Sequence, residues 1–66
     1  MRPHGLTDEA PTGQITAAQR LPERGQVPRA DVAATLLGCL NDPATIGVTF
    51  EIVSGDTPIA QALSQL

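Results

Sequence analysis

One histidine, one cysteine and seven carboxylates are all that this 66-residue chain brings to acid–base, nucleophilic or metal chemistry. His4 could act as a general acid or base, but that role needs a partner held at hydrogen-bond distance, and no carboxylate is visibly fixed beside it in the sequence. Asp8 and Glu9 lie in an unanchored loop, and no second acid or base is set opposite Asp31. Catalytic residues are therefore expected to be none. Cys39 falls beside Leu36 and Leu40 on a helical pattern, where a free cysteine packs as a small apolar group. With a single histidine and a single cysteine, neither an internal disulfide nor a histidine–cysteine metal cluster can form. Arg29 and Asp31 read as a charged pair at a helix start, and Arg20, Glu23 and Arg24 as a solvated mixed-charge loop. The turn "SGDTP" could hold an anion through its amides, but a strand-to-helix turn capped by Thr57 accounts for it.

The elements that would position these residues begin at Gln26. In "QVPRADVAATLLGCLNDP", Ala33, Leu36, Leu37 and Leu40 recur at i, i+3, i+4 and i+7, the apolar stripe of an amphipathic helix. Asp31 suits the first turn, where a negative charge complements exposed amides, and Asn41-Asp42-Pro43 supplies the stop. Gly38 costs roughly 1 kcal/mol relative to alanine inside a helix, which suggests another backbone coming close. After the turn "NDPATIG", residues 48–53 alternate, with Val48, Phe50 and Ile52 on one face and Thr49, Glu51 and Val53 on the other. That is a strand, and Glu51 marks an edge or a solvated side. A second helix follows, with Thr57 as N-cap, Pro58 at its first position, and Ile59, Ala62, Leu63 and Leu66 at helical spacing. Residues 1–25 read as a loop-rich segment, with "GQITA" the one extended piece.

Loop, helix, strand, helix leaves one convincing strand with its backbone donors and acceptors unpartnered. Short connections in this order are what a cut from an α/β domain would give. A chain this short buries only about 60% of its unfolded surface, and Phe50 is its single aromatic side chain. The formal net charge of −3 leaves no basic footprint for nucleic acid. No apolar run approaches the ~20 residues that span a bilayer, and the first residues carry no signal pattern, so a cytoplasmic location is expected, with no membrane partner.

Three pieces resemble the C-terminal portion of atypical short-chain dehydrogenase/reductase proteins, an NAD(P)-binding group with a Rossmann-type sheet: "RPHGLTDE" at 2–9, "VPRADVAATLLGCLNDPATIG" at 27–47 and "TFEIVSGDTPIAQAL" at 49–63. The resemblance implies an α/β fold class and a C-terminal fragment of a parallel-sheet domain, in which residues 26–66 complete the sheet. It implies that the Arg-Pro dipeptide follows a central parallel strand lying beside 48–53, a neighbour that belongs upstream of Met1 and of which all but the last residue or two is absent. It also implies that the loop after it, with Pro3, His4 and Gly5, approaches the nicotinamide end of NAD(P) once the rest of the cofactor domain is supplied. The chain departs from the family in three respects. It lacks the glycine-rich pyrophosphate turn, it has neither tyrosine nor lysine for the pair used by classical reductases, and Pro28 stands where many relatives cap the helix with serine. The isolated chain is accordingly expected to be a truncated piece of an oxidoreductase-like protein, binding no cofactor and catalysing nothing alone. Its expected partner is a complementing N-terminal chain. The alternative is a small interaction module that docks, or self-associates, through an exposed strand edge at 48–53.

Overall fold

The strand expected at 48–53 spans Glu51–Ser54, with 48–50 leading into it as irregular chain, and it is not alone. The computed structural model describes residues 1–21, 24–45 and 47–66. Among them it places strands β1 (Arg2–Pro3), β2 (Gly5–Thr7), β3 (Gln14–Ala18), β4 (Gln26–Pro28), β5 (Glu51–Ser54) and β6 (Thr57–Pro58). Helix α1 spans Arg29–Leu40, helix α2 spans Ile59–Ser64, and a 3-10 turn covers Pro43–Thr45. Glu23 of the mixed-charge loop and Ile46 of the "NDPATIG" turn lie outside the described residues.

β5 runs inside a four-stranded sheet of order β1-β5-β3-β6. On one side it pairs parallel with β1, Arg2 opposite Glu51 and Pro3 opposite Ile52. On the other it pairs antiparallel with β3, Ile15 opposite Ser54 through Ala18 opposite Glu51. The carbonyls of Phe50 and Ile52, expected to lack partners, accept from the N–H groups of Arg2 (2.6 Å) and His4 (3.0 Å). The orphaned edge is therefore corrected, and with it the module that would dock there: the outer strands are β1 and β6, two residues each. Of the neighbour that the resemblance places mostly upstream of Met1, the chain shows two residues, Arg2–Pro3, as β1, and these already pair with β5. The extended piece expected at "GQITA" is β3, and what the sequence reading missed was its pairing with β5. Its Ile15 is fully buried and Ala17 packs on the core, while Thr16 faces outward, so five residues of alternating pattern within the loop-rich segment pair with β5. The loop expected over 1–25 thus carries three strands, and β2 forms a parallel pair with β4.

The core is Ile15, Val27, Phe50, Ile52, Ala62 and Leu63, flanked by Met1, Ala17, Val32, Cys39, Val48 and Ile59. Phe50 and Ile52 face inward with Val48, as alternation predicts, and Cys39 packs as an apolar residue. α2 buries Ala62 and Leu63, whereas Leu66 at its end is exposed. Both helices start from a proline in extended conformation, Pro28 and Pro58, with no side-chain cap. Thr57 is therefore not the cap of α2; the carbonyl of Gly13 accepts from the Ile59 N–H instead (3.2 Å). A Cβ at Gly38 would lie 2.9 Å from Leu63 Cδ1 and 3.6 Å from Ile59 Cγ2. The close approach expected there is real, but side chains of α2 make it, not backbone.

α1 ends at Asn41 as its stop signal predicts, yet it is rotated against its apolar stripe. Leu36, Leu37 and Leu40 are 51%, 62% and 81% exposed, and Ala33 is exposed with them. The inward face carries Asp31 and Thr35, both fully buried. Thr35 donates its hydroxyl to the Asp31 carbonyl (2.7 Å). The Asp31 carboxylate accepts from the backbone N–H groups of Thr12 (2.9 Å) and Gly13 (2.8 Å). These bonds, not the leucines, fix how α1 lies on the 12–13 loop.

Candidate functional site

The parallel strand β1 ends at Pro3, and the chain then turns through His4 into β2. Gly5 N–H donates to the Gly25 carbonyl (3.2 Å), and Gly5 sits opposite Gln26 in the β2–β4 register. With no side chain on either glycine, the two passages run close together. Between them lies an open cleft of about 540 Å³, lined by Pro3, His4, Gly5, Arg24, Gly25 and Gln26. It sits just beyond the carboxyl end of β1, the position at which α/β sheets characteristically hold ligands. Among the described residues, Arg24 lines it as its one charged residue, and the glycines bring backbone.

His4 is held by both ring nitrogens. Its Nδ1 accepts from the Gly25 N–H (3.2 Å) and its Nε2 lies 3.1 Å from Glu51 Oε1. An Nδ1 that accepts carries no proton, so the ring is the Nε2–H tautomer and Nε2 donates to the carboxylate. The carboxylate partner that the sequence did not reveal is therefore Glu51. Glu51 Oε1 also accepts from the Leu21 N–H (3.0 Å). That backbone bond first, and the His4 bond second, hold the Glu51 carboxyl below its usual range. Glu51 is thus not an edge charge: partly exposed, it ties β5 to the segment before β4. In this arrangement no ring nitrogen of His4 is left for a ligand.

The register implied by the resemblance could have signalled this pair. A strand lying parallel to Arg-Pro sets Glu51 beside Arg2, within reach of a side chain two residues on. Glu51 and Leu21 were missed as parts of the site for lack of that step.

The remaining candidates do not converge on the cleft. Arg29 Nε donates to Asp8 Oδ1 (3.0 Å) on an exposed surface, which corrects the expected Arg29–Asp31 pair; such pairs contribute little. Asp31 is spent on the 12–13 loop. Among the described residues no group of three or more His, Cys, Asp or Glu side chains could hold a metal, and no helix is long and apolar enough to cross a membrane.

No family model matches the sequence. Across all 66 residues the chain is 46% identical to YhfK of Bacillus subtilis (strain 168), named as an uncharacterized sugar epimerase, and covers 30% of that protein. It superposes with a TM-score of 0.92, at 39% identity, on a solved structure from Bacillus halodurans provisionally named as an NAD-dependent epimerase/dehydratase, over 98% of this chain and 31% of that one. The chain therefore spans about a third of the length of the relatives it matches. It is an α/β, Rossmann-like part-fold with a mixed sheet and flanking helices, related to a small fraction of larger chains of the NAD-dependent epimerase/dehydratase kind.

Proposed function

We propose that these 66 residues act as the C-terminal part of an NAD(P)-binding, oxidoreductase- or epimerase-like fold similar to the atypical short-chain dehydrogenases. In this reading residues 26–66 complete the cofactor domain, and Pro3, His4 and Gly5 line the end of the site nearest the nicotinamide. One observation carries the reading: the cleft opens at the carboxyl end of a parallel strand pair, β1 with β5, and those three residues form one of its walls. With the N–H groups of His4, Gly5 and Gly25 engaged within the fold, that wall offers its surface to the face of a planar ring, and Arg24, also lining the cleft, suits a neighbouring phosphate or carboxylate. The His4–Glu51 pair shapes the wall and leaves proton transfer to groups elsewhere in the complete fold.

The chain has no glycine-rich turn to cradle a pyrophosphate, so cofactor binding and any hydride transfer require the rest of the fold. Calorimetry tests this directly. The 66-residue chain titrated with NADPH should give no saturable heat, whereas the Bacillus halodurans protein carrying these residues in place of its matching third should bind it. Micromolar binding by the short chain would overturn the need for a complement, and a folded chimera blind to both NADPH and NADH would overturn the cofactor reading.

A further inference from the structure

α1 carries no charged side chain after Asp31, so its outer face from Ala33 to Leu40 offers no charge to water. A surface helix sets charged or polar groups against solvent, and a helix apolar on the outside is a buried one. Here Ala33, Leu36, Leu37 and Leu40 form one continuous outward stripe, while the inner face is already occupied by β4, α2 and the 12–13 loop.

Resting on the part-fold reading above, we propose that this stripe is the docking surface for the remaining two-thirds of the same α/β fold, with α1 buried between that body and its own core. Two observations favour this occupant over a second copy of the chain. First, the three leucines together expose nearly two whole leucines' worth of surface, roughly 350 Å². A stable dimer needs roughly 800 Å² from each partner, which the stripe alone falls well short of. Second, the solved relative holds this same arrangement, at a TM-score of 0.92, within a chain of which it forms 31%, so a body of about twice its size is at hand to cover the face.

The test uses the Bacillus halodurans chimera and the 66-residue chain in parallel. In the chimera, Leu37→Glu with Leu40→Glu should lower Tm by about 10 °C or more, or abolish soluble protein, and Leu37→Ala alone should lower it by about 5 °C. Gln61→Glu, an exposed change on α2, should leave it within about 2 °C. In the short chain the same leucine pair should leave helical circular dichroism unchanged, because the face is open there. A chimera that tolerates both glutamates with Tm unmoved overturns the proposal. So does sedimentation equilibrium showing a wild-type dimer of the short chain that the glutamates dissociate, which would give the face to a second copy. A chimera sensitive at the leucines yet unable to bind NADPH leaves this surface standing and removes only the cofactor reading.

Discussion

Replacing Asp31 by alanine should destabilise the chain by about 3 kcal/mol, a figure that follows from counting donors and then asking which of them water can recover. The carboxylate is fully buried and accepts two backbone N–H bonds, from Gly13 at 2.8 Å and Thr12 at 2.9 Å. The Thr12 hydroxyl is also 3.4 Å away, but its single proton is better placed toward the Gln14 carbonyl at 3.0 Å, so it adds little. Bonds from backbone N–H to an ionised acceptor contribute about 1.5–3 kcal/mol each, which gives about 3–6 for the pair. Thr12 and Gly13 are themselves exposed, so water re-satisfies both amides once the carboxylate is gone, and the lower end applies.

For a chain of this size, total stability on the order of 3–10 kcal/mol makes that loss decisive. It should also travel, because the Gly13 carbonyl holds the first amide of α2 at Ile59. Urea denaturation followed by circular dichroism, with amide exchange at Gly13 and Ile59, reads both effects. Asp31→Asn should fall between wild type and alanine, since the amide can accept one of the two bonds while its NH₂ faces the other donor. An alanine variant within about 0.5 kcal/mol of wild type would refute the argument, as would an asparagine variant indistinguishable from wild type with Ile59 still protected.

Two further outcomes test the sheet and its link to the cleft. Glu51 titrates below its usual range in the folded chain, so the stability it contributes is complete above the ordinary carboxyl value of 4.5 and is lost as pH falls through the lower folded value. The urea midpoint of the wild type should therefore drop more steeply below pH 4.5 than that of Glu51→Gln, and parallel curves would remove the pair as an anchor. Gly55→Ala would put a Cβ 2.6 Å from the Thr16 amide nitrogen and 2.7 Å from the Ile15 carbonyl carbon, contacts with backbone that cannot swing away. It should cost about 2 kcal/mol or more in thermal or urea melts, and a neutral effect would show that β3 does not pass as closely as described.

The strand at Glu51–Ser54, expected over 48–53, and α2 were legible because each has a single buried face and a period that reports it: Phe50 and Ile52 alternate inward, and Ala62 and Leu63 recur on one helical side. β3 was half-legible, as "GQITA", since five residues with one large apolar group give alternation without saying what they pair with. β2 and β4 were beyond reach for a different reason, and β1 was signalled only by the resemblance. Two or three residues cannot display a period, and these strands exist because neighbours supply their hydrogen bonds: Arg2 and His4 N–H to Phe50 and Ile52, and Gly5 N–H to Gly25. The His4–Glu51 contact, 47 residues apart in sequence, depended on knowing that β1 and β5 run parallel, which only the family resemblance implied.

α1 shows most clearly what periodicity measures. Its stripe of Ala33, Leu36, Leu37 and Leu40 identified a helix correctly and named the wrong inner face, because Asp31 and Thr35 outcompete four apolar side chains for the interior. They can do so only because each is satisfied there, Asp31 by two amides of the 12–13 loop and Thr35 by a carbonyl one turn back. An amphipathic pattern that points outward is a physical contradiction in a finished globule, where those leucines would be selected to face in. It is no contradiction in a part-fold, where a helix has two interiors to serve: one face is held by polar bonds specific to its own segment, and the other is the apolar face for which the remainder of the fold is proposed above as occupant. The same reasoning explains why α1 tolerates Gly38. Its small inner face lets Leu63 and Ile59 of α2 approach to 2.9 and 3.6 Å of where a side chain would start, so packing on this side runs through closeness while the bulk of the helix is reserved for the other.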